Sequence, residues 1–285
     1  MLLKSLSLCL LVLLFLVVFN SHGKDTINWQ TYHRPPGIIM TGPNVGLGFV
    51  QKVNKLIIDR IPEYHHEMPL TTVGRALSDM KAGKHVCHPA LFITPERKKF
   101  MLFSDASMIN PSNRLVAKQG VLDQFSTEGG IDIQTLLTAN IFTFALINKR
   151  SYTDVIDEIL FSHVDVSKVH WVSNTDLTTI FQLINRDRVD LSILYPFELE
   201  YYLANSDISK QSLASYKIKG VPHYNIGAVA CPKNEWGSKV IQKVNEILKQ
   251  IKNTKEYKEA VTTWWQDEAK TPEFKAFYKD VFLTH

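Results

Sequence analysis

Two extended apolar segments, residues 113–118 and 224–231, interrupt an otherwise regular alternation of strands and helices. Before the first, the pattern reads as strand 26–32, a Pro/Gly-rich loop 34–43, helix 47–61, short strand 63–68, helix 71–82 and strand 86–93. Helix 47–61 carries Phe49, Val53, Leu56, Ile57 and Ile61 at helical spacing, and helix 71–82 places Val73, Ala76, Leu77 and Met80 on one face. A polar stretch, 118–130, follows the first extended segment. Beyond it come helix 132–138, strand 142–147, helix 152–161, strand 169–172, helix 176–186, strand 189–194 and helix 197–204. Ser151 and Asp154 make a capping-box-like start to helix 152–161. After the return segment the chain is helical at 239–252, 254–265 and 273–282. Such alternation predicts an α/β protein with parallel-type sheets covered by helices. One crossing out and one back predict two lobes on a double-crossover hinge. The first comprises residues 24–116 and 228–285, the second 117–227, with a ligand cleft between them.

Residues 1–23 read as a cleaved secretory signal, with Lys4 before an apolar core from Leu8 to Phe19 and a small-residue exit at Ser21 and Gly23. That core is shorter than the roughly 20 apolar residues of a bilayer span. Cys9 lies inside it, where lipidation is not expected. The protein is therefore expected in the periplasm, as a monomer. The chain holds 32 Lys+Arg against 28 Asp+Glu, and the acids and bases are interspersed, which excludes a nucleic-acid footprint.

Cys87 and Cys231 remain after signal removal. An oxidising compartment favours a bridge between them, on neighbouring strands of the first lobe. Two buried free thiols are one alternative. The other is a metal site built from His85, Cys87 and His88 with His33 or His65, although no paired Cys-x-x-Cys or His-Glu-x-x-His spacing accompanies them. Neither a metal nor a cofactor is expected.

Catalytic signatures are absent from the sequence. There is no Gly-x-Ser-x-Gly elbow, and the glycine-rich run from Gly42 to Gly48 lacks the Lys-Ser/Thr of a phosphate loop. An enzyme is not expected.

Four segments resemble one known family in the same order along the chain. They are Pro35-Pro36 with Gly46-Leu47-Gly48-Phe49, the stretch 76–104, Arg188-Val189-Asp190-Leu191-Ser192-Ile193, and 224–233. The chain is similar to extracellular solute-binding proteins of the polar-amino-acid type, family 3. The resemblance implies the type II periplasmic-binding fold. It also implies that Thr94-Pro95-Glu96-Arg97 is the turn presenting an arginine, Arg97, to a ligand carboxylate. A guanidinium suits that task because its planar fork matches a carboxylate.

Three positions depart from the family pattern. Arg34 stands where an aromatic precedes the Pro-Pro pair, Phe92 where a small hydroxyl residue precedes the threonine, and Tyr195 where an acid pairs with an α-ammonium. Glu198, on the next helix, could substitute for that acid, although a surface glutamate is the plainer expectation. The ligand set expected from the resemblance and these departures is Arg97, Arg34, Tyr32, Phe92, Thr94, Ser151, Tyr195 and Glu198. In it Arg34 and Arg97 hold one or two anionic groups, the aromatics give flat contact, and Ser151 offers donors at a helix start. The expected function is capture of a small carboxylate-bearing ligand, amino-acid-like or aromatic, for an ABC-type transporter. A ligand-sensing role beside a membrane signalling protein is the alternative, and a small-molecule lyase on the same fold is a further one. The expected partner is accordingly a membrane permease or a membrane sensor protein.

Overall fold

The computed structural model describes residues 24–148, 150–172, 177–206 and 212–285. The expected signal, residues 1–23, and Asp176, the first residue of expected helix 176–186, lie outside them. Two five-stranded sheets organise the chain, with strand orders β2-β1-β3-β10-β4 and β7-β6-β8-β5-β9. The first contains β1 (Thr26–Trp29), β2 (His65–Glu67), β3 (Val86–Phe92), β4 (Met101–Pro111) and β10 (Tyr224–Pro232). The second contains β5 (Arg114–Lys118), β6 (Phe144–Ile147), β7 (Val169–Val172), β8 (Leu191–Leu194) and β9 (Leu213–Lys217).

Both sheets are mixed, which corrects the expectation of parallel ones. β1 runs parallel to β2 and β3, and β6 parallel to β7 and β8, as helical crossovers require. The remaining pairings are antiparallel: β10 inserts between β3 and β4, and β5 between β8 and β9. Each crossing segment thus becomes a central strand of one sheet. β5 belongs wholly to the second sheet and β10 wholly to the first, so the chain passes from one sheet to the other at Ser112–Asn113 and back just before Tyr224. There Ser112 N donates to the His223 carbonyl at 3.0 Å, and Asn225 Nδ2 donates to Ser112 Oγ at 2.8 Å, tying the two crossings together.

Each lobe has its own core. Ile27, Trp29, Val53, Ile57 and Ile61 pack the first between its sheet and the helices Phe49–Ile58 and Glu235–Ile251. The second sheet is covered on both faces. Leu115, Ile131, Leu146 and Ile193 face one layer, while Val116, Ala145, Phe181 and Leu194 face the other. A strand buried on both sides reads as a continuous apolar run, and every residue of β8 is buried.

Cys87 and Cys231 are joined in a disulfide between β3 and β10, with their Cα atoms 4.4 Å apart. That removes the thiolate on which the alternative metal site depended. Among the described residues no group of three or more His, Cys, Asp or Glu side chains converges as metal ligands. No helix among them is long and apolar enough to cross a membrane.

The lobes touch beyond the crossings. Phe49 meets Phe197 edge to face, with ring centroids 5.2 Å apart. Trp264 Nε1 donates to the Leu47 carbonyl at 2.9 Å and its indole meets Tyr201 at 5.0 Å. Arg114 pairs with Glu268 at 3.0 Å.

Candidate functional site

The first lobe brings Arg34 to the cleft on a tightly braced loop. Arg34 and Ile38 exchange backbone hydrogen bonds of 2.8 and 2.9 Å, and Gln51 Oε1 accepts from Ile39 N at 2.8 Å and Gly48 N at 3.2 Å. Gly48 has to be glycine, because a Cβ there would stand 2.3 Å from the Gly37 carbonyl oxygen. The Pro35–Pro36 bond within the loop is cis. This is the structural content of the Pro-Pro and Gly-Leu-Gly-Phe motifs: they fix the backbone next to Arg34.

Arg34 crosses to the second lobe. Its Nε and Nη2 each donate to Glu198 Oε1 at 3.3 Å, and its Nη1 donates to the Tyr32 hydroxyl at 3.4 Å. Glu198 sits in the first turn of helix Pro196–Ala204 and is 1 % exposed, so the surface expectation for it is overturned. Its Oε2 accepts from Arg150 Nη2 at 2.9 Å and from Tyr195 N at 2.9 Å. Burial raises the Glu198 carboxyl, but Arg150 and Arg34 outweigh it and hold the group below its ordinary value. The carboxylate is charged and saturated with donors. It serves as the anchor of two guanidiniums, not as a free clamp for an ammonium.

Tyr195 is 2 % exposed and stacks on Phe197 at 4.9 Å, with the Arg34 and Arg150 guanidinium carbons 5.3 and 5.1 Å from its ring centroid. Cation–π contact with two arginines makes it part of the frame that orients them.

Arg97 lies half-buried on the one-turn helix Pro95–Lys98. Thr94 caps that turn, its hydroxyl accepting from Arg97 N at 3.3 Å, and Arg97 Nη1 donates to the Phe92 carbonyl at 2.9 Å. Phe92 therefore contributes its backbone to the site, and Thr94 its cap. Among the described residues Arg97 makes no ion pair. Burial pulls it below the usual arginine value, with Tyr32 acting in the opposite direction.

His88 is near enough to both first-lobe arginines to feel their charge. It is 2 % exposed, and its ring centroid is 6.0 Å from that of Tyr32. Burial first, then Arg97 and Arg34, push it down to about 3, so it is neutral near pH 7.

Ser151 does not cap its helix as expected. Helix Asp154–His163 starts after Thr153, which has φ 120° and no capping side-chain bond. Ser151 Oγ instead donates to Asp157 Oδ2 at 2.6 Å, beside a bond from Tyr152 N to Asp157 Oδ1 at 2.8 Å. Its neighbour Arg150 is the residue that reaches the cleft. Arg150 Nη2 also donates to Asn113 Oδ1 at 3.3 Å, and Asn113 Nδ2 donates to the Tyr152 carbonyl at 2.9 Å, so a residue of the crossing segment supports it. The signal that could have singled out Arg150 is its place just past the C-terminal end of β6, where ligands gather in α/β sheets.

Alongside Glu198 and Pro35 a cavity of about 280 Å³ opens between the helices Thr178–Asn185 and Pro196–Ala204, lined in part by Phe181, Tyr201 and Tyr202.

The site thus assembles three arginines, one buried carboxylate, a neutral histidine and two tyrosines at the junction of the lobes. Comparison with known proteins agrees with that architecture. No curated protein matches the chain by sequence. Among solved structures it is similar to the periplasmic VFT2 domain of Bordetella pertussis BvgS, at 17 % identity and a TM-score of 0.62, covering 84 % of this chain and 93 % of that one. An ancestral arginine-binding protein bound to glutamine matches at 18 % identity and a TM-score of 0.64, over 86 % of this chain and 99 % of its own. AncCDT-1, an ancestral amino-acid-binding protein and precursor of cyclohexadienyl dehydratase, matches at 18 % and 0.63, over 85 % and 94 %. At such identities the likeness establishes the two-lobed fold. The model of the bacterial extracellular solute-binding proteins, family 3, matches residues 31–267. With most of its length accounted for by that model and its two sheets arranged as in these relatives, the chain belongs to the family 3 extracellular solute-binding proteins.

Proposed function

We propose that this protein captures a small carboxylate-bearing solute between its lobes in the periplasm and delivers it, unchanged, to an ABC-type permease. The observation that carries the proposal is Arg97: a half-buried guanidinium on a capped turn, hydrogen-bonded to one backbone carbonyl and to no carboxylate among the described residues. A cation partly withdrawn from water favours an anionic partner, and a carboxylate matches its fork. Arg34 and Arg150, already oriented by Glu198 and Tyr195, line the same junction. The relatives bound to arginine and glutamine support a ligand of amino-acid size.

The direct test is native mass spectrometry of the purified protein, followed by a thermal-shift screen of small carboxylates. A ligand present at about 100 times its dissociation constant adds about 2.7 kcal/mol to stability. Recovery of an unaltered bound carboxylate is expected. A protein that carries none and is stabilised by none overturns the proposal, and a chemically converted product assigns a lyase.

The likeness to BvgS gives the sensor reading a specific footing. Copurification separates the two roles: a permease partner supports delivery, a membrane signalling protein supports sensing.

A further inference from the structure

Several buried hydrogen-bond donors at the lobe junction have no acceptor among the described residues. On the second lobe, Nε and Nη1 of Arg150 are buried without partners, on a side chain 8 % exposed. On the first lobe the same holds for Nε2 of His88. His88 Nδ1 accepts from Ala90 N at 3.1 Å, which puts the ring hydrogen on Nε2 and makes that atom a donor. Close to His88, Arg97 commits Nη1 to the Phe92 carbonyl. Buried polar groups are satisfied in native proteins, and these orphans are all donors. Their common complement is an anion's oxygens.

The charges indicate how much negative charge is needed. Arg34, Arg97 and Arg150 stand against Glu198 alone among the described hydrogen-bonded partners, an excess of two positive charges. Glu198 has no room for an ammonium group, since Oε1 takes both Arg34 donors and Oε2 takes Arg150 and the Tyr195 amide. An α-amino group entering the cleft would meet guanidiniums and no free carboxylate.

The geometry points to a small dicarboxylate lacking an amino group as the ligand, one carboxylate taken by Arg97 and His88 Nε2–H and the other by Nε and Nη1 of Arg150. This inference rests on the solute-binding reading above and narrows it. The orphan donors lie on opposite lobes, so a molecule with two separated carboxylates satisfies both sets and draws the lobes together. The Arg34–Glu198 pair links the two lobes beside these donors. His88, neutral near pH 7, donates without adding charge, which keeps the ligand's charge requirement at two.

Isothermal titration of the mature protein near neutral pH tests this with succinate, glutarate and adipate as probes, against butyrate and valerate, against aspartate and glutamate, and against inorganic phosphate. One dicarboxylate is expected to bind at least about tenfold tighter than its monocarboxylate and α-amino counterparts and than phosphate. His88→Leu and Arg150→Gln should each weaken it by about tenfold or more, and His88→Gln, which keeps an N–H donor, should recover part of the loss. If Arg150→Gln fails to fold, the two His88 variants decide alone. Aspartate, glutamate, a monocarboxylate or phosphate binding as tightly as the best dicarboxylate overturns this inference, and so does unchanged affinity in His88→Leu; in each carboxylate case solute capture itself still stands. Absence of binding by every carboxylate overturns both.

Discussion

Arg34 and Glu198 meet across the two lobes, the Nε and Nη2 of one both 3.3 Å from a single carboxylate oxygen of the other. The second oxygen of Glu198 holds Arg150, so one buried acid orients a guanidinium from each lobe. Its charge compensates theirs in part, and the remainder faces the cleft.

Replacing that acid tests its structural weight. Glu198→Gln keeps the shape but leaves two guanidiniums sharing a neutral acceptor, one of them almost wholly buried. Breaking a buried ion pair typically costs about 3–5 kcal/mol, and the retained amide oxygen places this variant near the lower figure. Urea denaturation should show a loss of about 3 kcal/mol. A change within error would mean that Glu198 is not the anchor described.

Arg97 should behave in the opposite way. It makes no ion pair among the described residues, and its turn is capped by Thr94 through the backbone. Arg97→Ala should therefore leave stability within about 1 kcal/mol, as at most exposed or half-exposed positions. Losing a bidentate charged contact should weaken carboxylate binding by about a hundredfold. Retained affinity by titration calorimetry would remove Arg97 from the site.

The disulfide closes a loop of 144 residues. Chain entropy alone assigns such a bridge about 5 kcal/mol. The oxidised protein should resist alkylation under denaturing conditions until it is reduced, and Cys87→Ala with Cys231→Ala should lower the denaturation midpoint sharply. A thiol that reacts before reduction would contradict the bridge.

His88 sets a pH dependence. Its folded value is about 3 against 6.5 for the free side chain, so at pH 5 the unfolded chain binds a proton there that the native chain does not. The contribution is fully present above pH 6.5 and is lost progressively between there and about 3, by about 1.4 kcal/mol per unit once well below 6.5. Asp79, lowered chiefly by its hydrogen bonds from Lys84 and Gln30, acts in the same direction only at lower pH. Comparing urea midpoints at pH 7 and pH 5 for the wild type and His88→Gln isolates the histidine. An equal pH effect in both would rule it out as the source.

Much of the architecture is legible in the sequence because burial leaves a period. Helix Phe49–Ile58 shows its core stripe in Phe49, Val53, Leu56 and Ile57, and β8 is apolar apart from Ser192 because both its faces are buried. β4 and β9 do not announce themselves. Met101–Pro111 mixes Ser104, Asp105, Ser107 and Asn110 with apolar residues, and it is a strand because β10 pairs with it along nearly its whole length. The antiparallel character of β10 has the same origin: only the return of a distant segment decides its direction. In the site, Arg97 stands out only through the resemblance of Thr94-Pro95-Glu96-Arg97 to the family's turn. Arg150 follows Lys149 and reads as half of a solvated basic pair, because Asn113, Tyr195 and Glu198 approach it only in three dimensions. Glu198 reads as a surface acid for the same reason, its helix turning that face toward arginines 164 and 48 positions away.

The Cys87–Cys231 bond spans the root of the second lobe, entering before the outgoing crossing and closing within the returning one. A protease that nicks any loop between those two residues severs the polypeptide without releasing either piece, so the cut halves stay registered on one scaffold. The second lobe is in effect a closed cassette plugged into the first, and the thiol state of its environment decides whether damage to it is survivable.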